Sequence, residues 1–174
     1  MMTSIATSVG KRVFETLNKQ INDEFQAALM FLAMSGVFSN MRLNGCAKWA
    51  KDQFSYRNAS GLVIFDHVTA RGMRVKILQA HPPRQDWSAP IHVFEEILRF
   101  EQKTTVTMVD IADICVADKD RVSAILMNSV IQDQIKKETT AAFLLDRLHK
   151  MQSTELGVIM FDSDLAKGIL VETC

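Results

Sequence analysis

Glu24, Arg57, Glu101, Gln134 and Lys137 each interrupt an apolar stripe where another hydrophobic side chain is expected. Each lies near the middle of a segment whose apolar residues recur at three- and four-residue steps, the spacing that lines up side chains on one face of a helix. Carboxylates converging from separate helices have two chemical uses. They can hold hard, oxidisable cations, which favour oxygen donors and negative charge. Helical bundles build dinuclear iron sites in this way, with one Glu from each of two helices and Glu-x-x-His from each of the others. Alternatively, they can neutralise buried cations, because a guanidinium stays charged at any biological pH. Here the motif slot on the second segment reads Arg57-x-x-Ser60, and Gln134-x-x-Lys137 occupies the comparable turn of the fourth. Two cationic side chains stand where two dications would sit, and they would repel such ions by several kcal/mol even with generous screening. The competing readings are a closed cluster, in which Arg57 and Lys137 neutralise Glu24 and Glu101, and a partial metal site of Glu24, Glu101, Gln134 and Asp133. A blander reading places these polar groups on helix surfaces.

Four long helices are needed to bring the residues together. The first is expected from near Ser8 to about Phe38, along Val13, Leu17, Ile21, Glu24, Ala28, Phe31 and Met34. Turn chemistry at 39–45 makes the second its antiparallel neighbour, from about Cys46 to a glycine stop at Gly72, with Ala50, Phe54, Arg57, Gly61, Ile64 and Val68 on one face. Residues 73–89 sustain no helical period and, with Pro90, frame all three prolines. A connection this long suits a crossover spanning the length of a four-helix bundle. Here Val75, Ile77 and Leu78 are expected to cover a neighbouring surface. The third helix, with Pro90 in its first turn, runs to about Ala117 along Phe94, Ile97, Glu101, Met108, Ile111 and Cys115. Asp120 caps the fourth, which runs to about Lys150 with Val122, Leu126, Val130, Gln134, Lys137, Ala141, Leu144 and Leu148 on one face. A short fifth helix falls within 153–168. The expected class is all-α: a four-helix bundle with one long crossover and a short C-terminal helix.

Composition narrows the function classes. A chain of 174 residues with 48% hydrophobic and 23% charged residues suits one domain over 1–174, with residues 1–7 flexible. Twenty basic and twenty acidic residues cancel, which argues against a general binder of nucleic acid or membrane surfaces. Cys46, Cys115 and Cys174 have neither disulfide parity nor zinc spacing. With no signal-peptide pattern at the N-terminus, a cytoplasmic setting is expected. His67, His81, His92 and His149 are scattered, without metal-binding spacing. The ten methionines read as core filling rather than haem ligands.

The segments LNKQINDEFQAALMFLAMS, AKWAKDQ, FDHVTARG, EEILRFEQ and GVIMFDSDL together resemble the helices of the bacterial non-haem ferritins, over roughly residues 12–166. The resemblance places the family's iron-binding residues on Glu24, Glu101 and Gln134. Its second-helix Glu and His fall on Arg57 and Ser60, and the glutamate that often completes the site falls on Lys137. A nearby tyrosine becomes Phe31. The acidic residues of a third iron site align with Ser55, Tyr56, Asp133 and Lys136, and Ala124 and Met127 fall where the three-fold channel would be lined. By this resemblance the chain is expected to be an iron-storage subunit of a hollow 24-subunit shell with little or no ferroxidase activity. On that reading it holds mineral made elsewhere or co-assembles with a competent subunit. Slow ferroxidase activity at the partial site, or an iron-independent cage, are the alternatives.

Overall fold

The computed structural model describes residues 10–170, and the flexibility expected of residues 1–7 lies outside them. Its elements are α1 (Lys11–Asn40), α2 (Asn44–Ala70), α3 (Pro90–Ala117), α4 (Arg121–Met151) and α5 (Glu155–Ala166). Local chemistry sets most of the helix ends. Pro90 opens α3, where its missing N–H costs nothing. Asp120 accepts from the Ser123 amide to start α4, and Thr154 accepts from the Gly157 amide to start α5. After α2, Gly72 takes φ +79°, the left-handed conformation that glycine adopts without strain. The N-terminus of α2 has no side-chain cap of its own. Instead Asp162, on α5, accepts from the amides of Gly45 and Cys46 at 3.0 and 2.7 Å. A Cβ on Gly45 would meet the Asp162 carbonyl at 2.0 Å, so glycine is what lets α5 approach this closely.

Short turns make α1 antiparallel to α2 and α3 antiparallel to α4, while residues 71–89 carry the chain back along α1 between the two pairs. That crossover is held by three amide side chains on one face of α1. Asn18 donates to the Lys76 carbonyl at 3.1 Å and accepts from the Lys76 amide at 2.7 Å. Asn22 donates to the same carbonyl at 2.9 Å and accepts from the Leu78 amide at 2.8 Å. Gln26 pairs both ways with His81, at 2.8 and 2.7 Å. A primary amide presents the same donor and acceptor as a peptide group, so the helix offers the extended chain a substitute strand edge. Val75 packs against the core as expected, but Ile77 and Leu78 are exposed, contrary to the expectation that they cover a surface. The crossover is fixed by its backbone, which leaves those side chains free to point outward.

The core divides into two apolar clusters. One joins the C-terminal part of α1 (Phe31, Phe38) to Trp49, Phe94, Leu144 and Phe161. The other joins Val13, Leu17 and Ile21 to Ile64, Met108, Cys115 and Met127. Between them lies a layer in which buried polar side chains replace apolar ones: Glu24, Arg57, Glu101 and Gln134 are each at most 2% exposed. The first half of α4 departs from the expected stripe. Val122 is exposed and Leu126 and Val130 are half-buried, while Ser123, Ala124 and Met127 face the core. Repeated four-residue steps explain the error. Each turns about 400°, so three steps back from Gln134 drift roughly 120° around the helix.

Candidate functional site

Arg57 stands at the centre of the polar layer with no solvent exposure. It lies one turn before Gly61, where an added Cβ would press on the Phe25 ring at 2.9 Å and on the Glu24 side chain at 3.3 Å. Glycine thus lets α2 come close to α1 beside the site. One guanidinium nitrogen, Nη1, donates to Glu24 Oε2 at 3.2 Å and to Gln134 Oε1 at 3.1 Å, with Glu24 Oε1 at 3.5 Å. The other, Nη2, donates to Glu101 Oε2. Gln134 completes the ring by donating to Glu101 Oε2 at 2.7 Å and to the Glu101 carbonyl at 3.2 Å. Arg57 therefore touches a residue from each of the other three long helices. Burial disfavours its charge, but Glu101 and Glu24 outweigh that and raise its pKa above the ordinary value. Phe31 and Phe100 sit 5.9 and 5.2 Å from the guanidinium carbon and shield it from water. Its Nε lacks a hydrogen-bond partner.

Two further residues belong to this layer, and only one of them was anticipated. Gln20, buried one turn before Glu24, donates to Glu24 Oε1 at 2.8 Å. The signal for it was its four-residue spacing from a buried carboxylate. Lys137 is half-buried and donates to Ser60 Oγ at 2.9 Å; it makes no ion pair with either glutamate. Burial lowers its pKa, Arg57 lowers it further, and Glu24, Glu101 and Asp133 act against them. The direct neutralisation of both glutamates thus falls to Arg57, with Lys137 one step outside.

The structure leaves the other candidates apart. Asp133 is exposed and pairs with Lys136 at 3.1 Å, away from Glu24 and Glu101, because it faces solvent next to the core-facing Gln134. Ser55 and Tyr56 are exposed on α2. Ala124 and Met127 do not line a channel at the chain's surface: Met127 is fully buried in its own core and Ala124 nearly so, a consequence of the rotated first half of α4. Among the described residues, no group of three or more His, Cys, Asp or Glu residues is placed to hold a metal ion.

A second buried arginine cluster went unread in the sequence. Arg71, at the end of α2, donates to both Asp120 oxygens at 2.8 and 2.7 Å and to Ser123 Oγ at 2.8 Å. His67 Nε2 lies 2.9 Å from the same hydroxyl. Burial lowers the His67 pKa and Arg71 adds to the effect, with Asp120 opposing. Asp120 signalled the helix cap, but nothing in the sequence linked it to an arginine 49 residues earlier.

The fold and the central geometry can be set against known proteins. Residues 14–151 match the family model described as the ferritin-like domain. A bacterial non-heme ferritin from Bacteroides fragilis is 23% identical over 159 residues, covering 91% of this chain and 99% of the relative. One from Staphylococcus saprophyticus is 24% identical, covering 91% of this chain and 95% of the relative. The open pore ferritin from the archaeon Archaeoglobus fulgidus superposes with a TM-score of 0.89 at 24% identity, over 91% of this chain and 98% of that one.

Proposed function

The chain belongs to the ferritin family, and from that premise we propose that it is an iron-storage shell subunit whose central metal position is closed by Arg57. The observation that carries this reading is a fully buried guanidinium bonded to both Glu24 and Glu101. The residues at the centre do not fit a resident pair of iron ions. Both carboxylates are committed to one cation, and the second-helix positions offer a guanidinium and a hydroxyl in place of a carboxylate and an imidazole. A dication introduced within about 4 Å of Arg57 would meet a repulsion on the order of several kcal/mol even at an effective dielectric of about 20. Iron is then cargo, held as mineral inside an assembled 24-subunit shell in the cytoplasm. It arrives already oxidised or is oxidised by a competent subunit in the same shell. Oxidation within this subunit is slow or absent. Among the described residues no helix is long and apolar enough to cross a membrane, which fits a shell subunit.

The test is anaerobic addition of Fe²⁺ to the assembled protein, then air, with oxidation followed optically. Oxidation no faster than in buffer is expected, together with iron uptake when a competent ferritin subunit is present. A fast phase of about two irons per subunit would overturn the closed centre, and failure of uptake in mixed shells would overturn the storage role. Arg57→Glu with Ser60→His and Lys137→Glu rebuilds a donor set of the kind such bundles use. It should bind Co²⁺ stoichiometrically, seen by its visible absorption, where the parent binds none at this position.

A further inference from the structure

A groove of about 610 Å³ runs between α2 and α4, with α3 at its floor. Its walls are mainly apolar, from Trp49, Val63, Ile97, Leu126 and Val130. Three of the four charged residues that line it have an ion-pair partner. Glu101 is held by Arg57, and Asp133 by Lys136. Lys137, in the same wall, has no carboxylate partner among the described residues; its one hydrogen bond is to Ser60 Oγ, which leaves two of its three N–H donors unused. The other wall, on α2, holds the Trp49 indole, whose buried Nε1 has no acceptor.

We propose that this groove binds a monocarboxylate with an apolar tail, its head group on Lys137 Nζ and its tail along the Trp49–Val63–Leu126–Val130 walls. The volume suits a small-molecule site, and mostly apolar walls with one polar anchor are how such sites combine affinity with orientation. A single negative charge suits the one ammonium that makes no ion-pair contact, while Asp133 and the two glutamates that share Arg57 repel a second. A cation is disfavoured by Lys137 and by Arg57 behind it. Burial and the Arg57 charge already work against Lys137 carrying its proton, and an arriving carboxylate relieves that cost. Glu24 from α1 and Glu101 from α3 also face this region, but both are held by Arg57. This inference concerns a groove opening to solvent and does not rest on the iron-storage reading.

Calorimetric titration of decanoate, below its micellar concentration, into the assembled full-length protein tests it. Saturable binding of about one decanoate per chain is expected, weakened roughly tenfold or more by Lys137→Met and retained by Lys137→Arg, as for loss of a charged hydrogen bond. Val63→Trp, at a half-exposed position that tolerates bulk, should block the groove, and Lys136→Met should leave binding nearly unchanged. Decanol should bind far more weakly. Absence of saturable binding, equal affinity for decanol, or binding unaffected by both Lys137→Met and Val63→Trp would each overturn the assignment.

Discussion

Two buried arginines, Arg57 and Arg71, hold carboxylates at different levels of the bundle, one midway along the helices and one at their ends, and their partners differ in what else they do. Around Arg71 every partner has an architectural duty. Asp120 caps α4, Ser123 lies in the first turn of that helix, and the cluster ties the end of α2 to the turn joining α3 and α4. Around Arg57 no chain end is capped and no turn is closed. Two glutamates from different helices aim at one point midway along four helices, between two apolar clusters. Buried carboxylates aimed at one point, with no backbone to satisfy, are what the proposed replacement of a bound cation by a side chain accounts for.

The comparison predicts an order of mutational cost. Arg57→Ala leaves two buried carboxylates uncompensated and should destabilise by about 3–5 kcal/mol, read from urea denaturation. Arg57→Met combined with Glu24→Gln and Glu101→Gln should cost less than Arg57→Ala alone, because it removes the charges together; a larger loss would mean the cluster stabilises beyond neutralisation. Arg71→Ala should cost about 1.5–3 kcal/mol, since the Asp120 it abandons keeps its bonds from the Ser123 amide and hydroxyl. Ser123→Ala, removing a hydroxyl shared among Arg71, Asp120 and His67, should cost about 1 kcal/mol.

The smallest effect separates the two regions by pH. In the folded protein the His67 pKa lies below its ordinary 6.5. The unfolded chain therefore binds that proton more readily, and stability falls as pH drops through and below this value. Denaturation midpoints compared between pH 7.5 and 5.5 should shift less in His67→Gln than in the parent. Arg57, with its pKa raised further from neutrality, contributes no such slope. An unchanged slope in His67→Gln would remove the pH-sensitive role from the Arg71 end.

The fold was legible because long apolar stripes, one proline-rich gap and short polar turns all pointed to the same bundle. The central residues were legible for the same reason: Glu24, Arg57, Glu101 and Gln134 each broke a stripe at the same depth, so their meeting followed from helix length. Lys137 was placed one step too deep, because a stripe gives the face of a helix but not how far a flexible ammonium reaches along it. Asp133 next to Gln134 could not be oriented from spacing alone. The Arg71 cluster was invisible because a cation at a helix end already has a local explanation, the dipole, that hides a distant partner.

The amides of Asn18, Asn22 and Gln26 have a further consequence, which concerns how the crossover depends on α1. Four residues of helix rise about 6 Å, close to the roughly 6.6 Å spanned by two residues of extended chain, and so Asn18 and Asn22 match Lys76 and Leu78. That match exists only once α1 is wound, since in an unwound chain the same amides lie at other spacings and on other sides. α1 is therefore a template and the crossover its copy. Local unwinding of the first helix releases the crossover as well, because the register of one is written in the winding of the other.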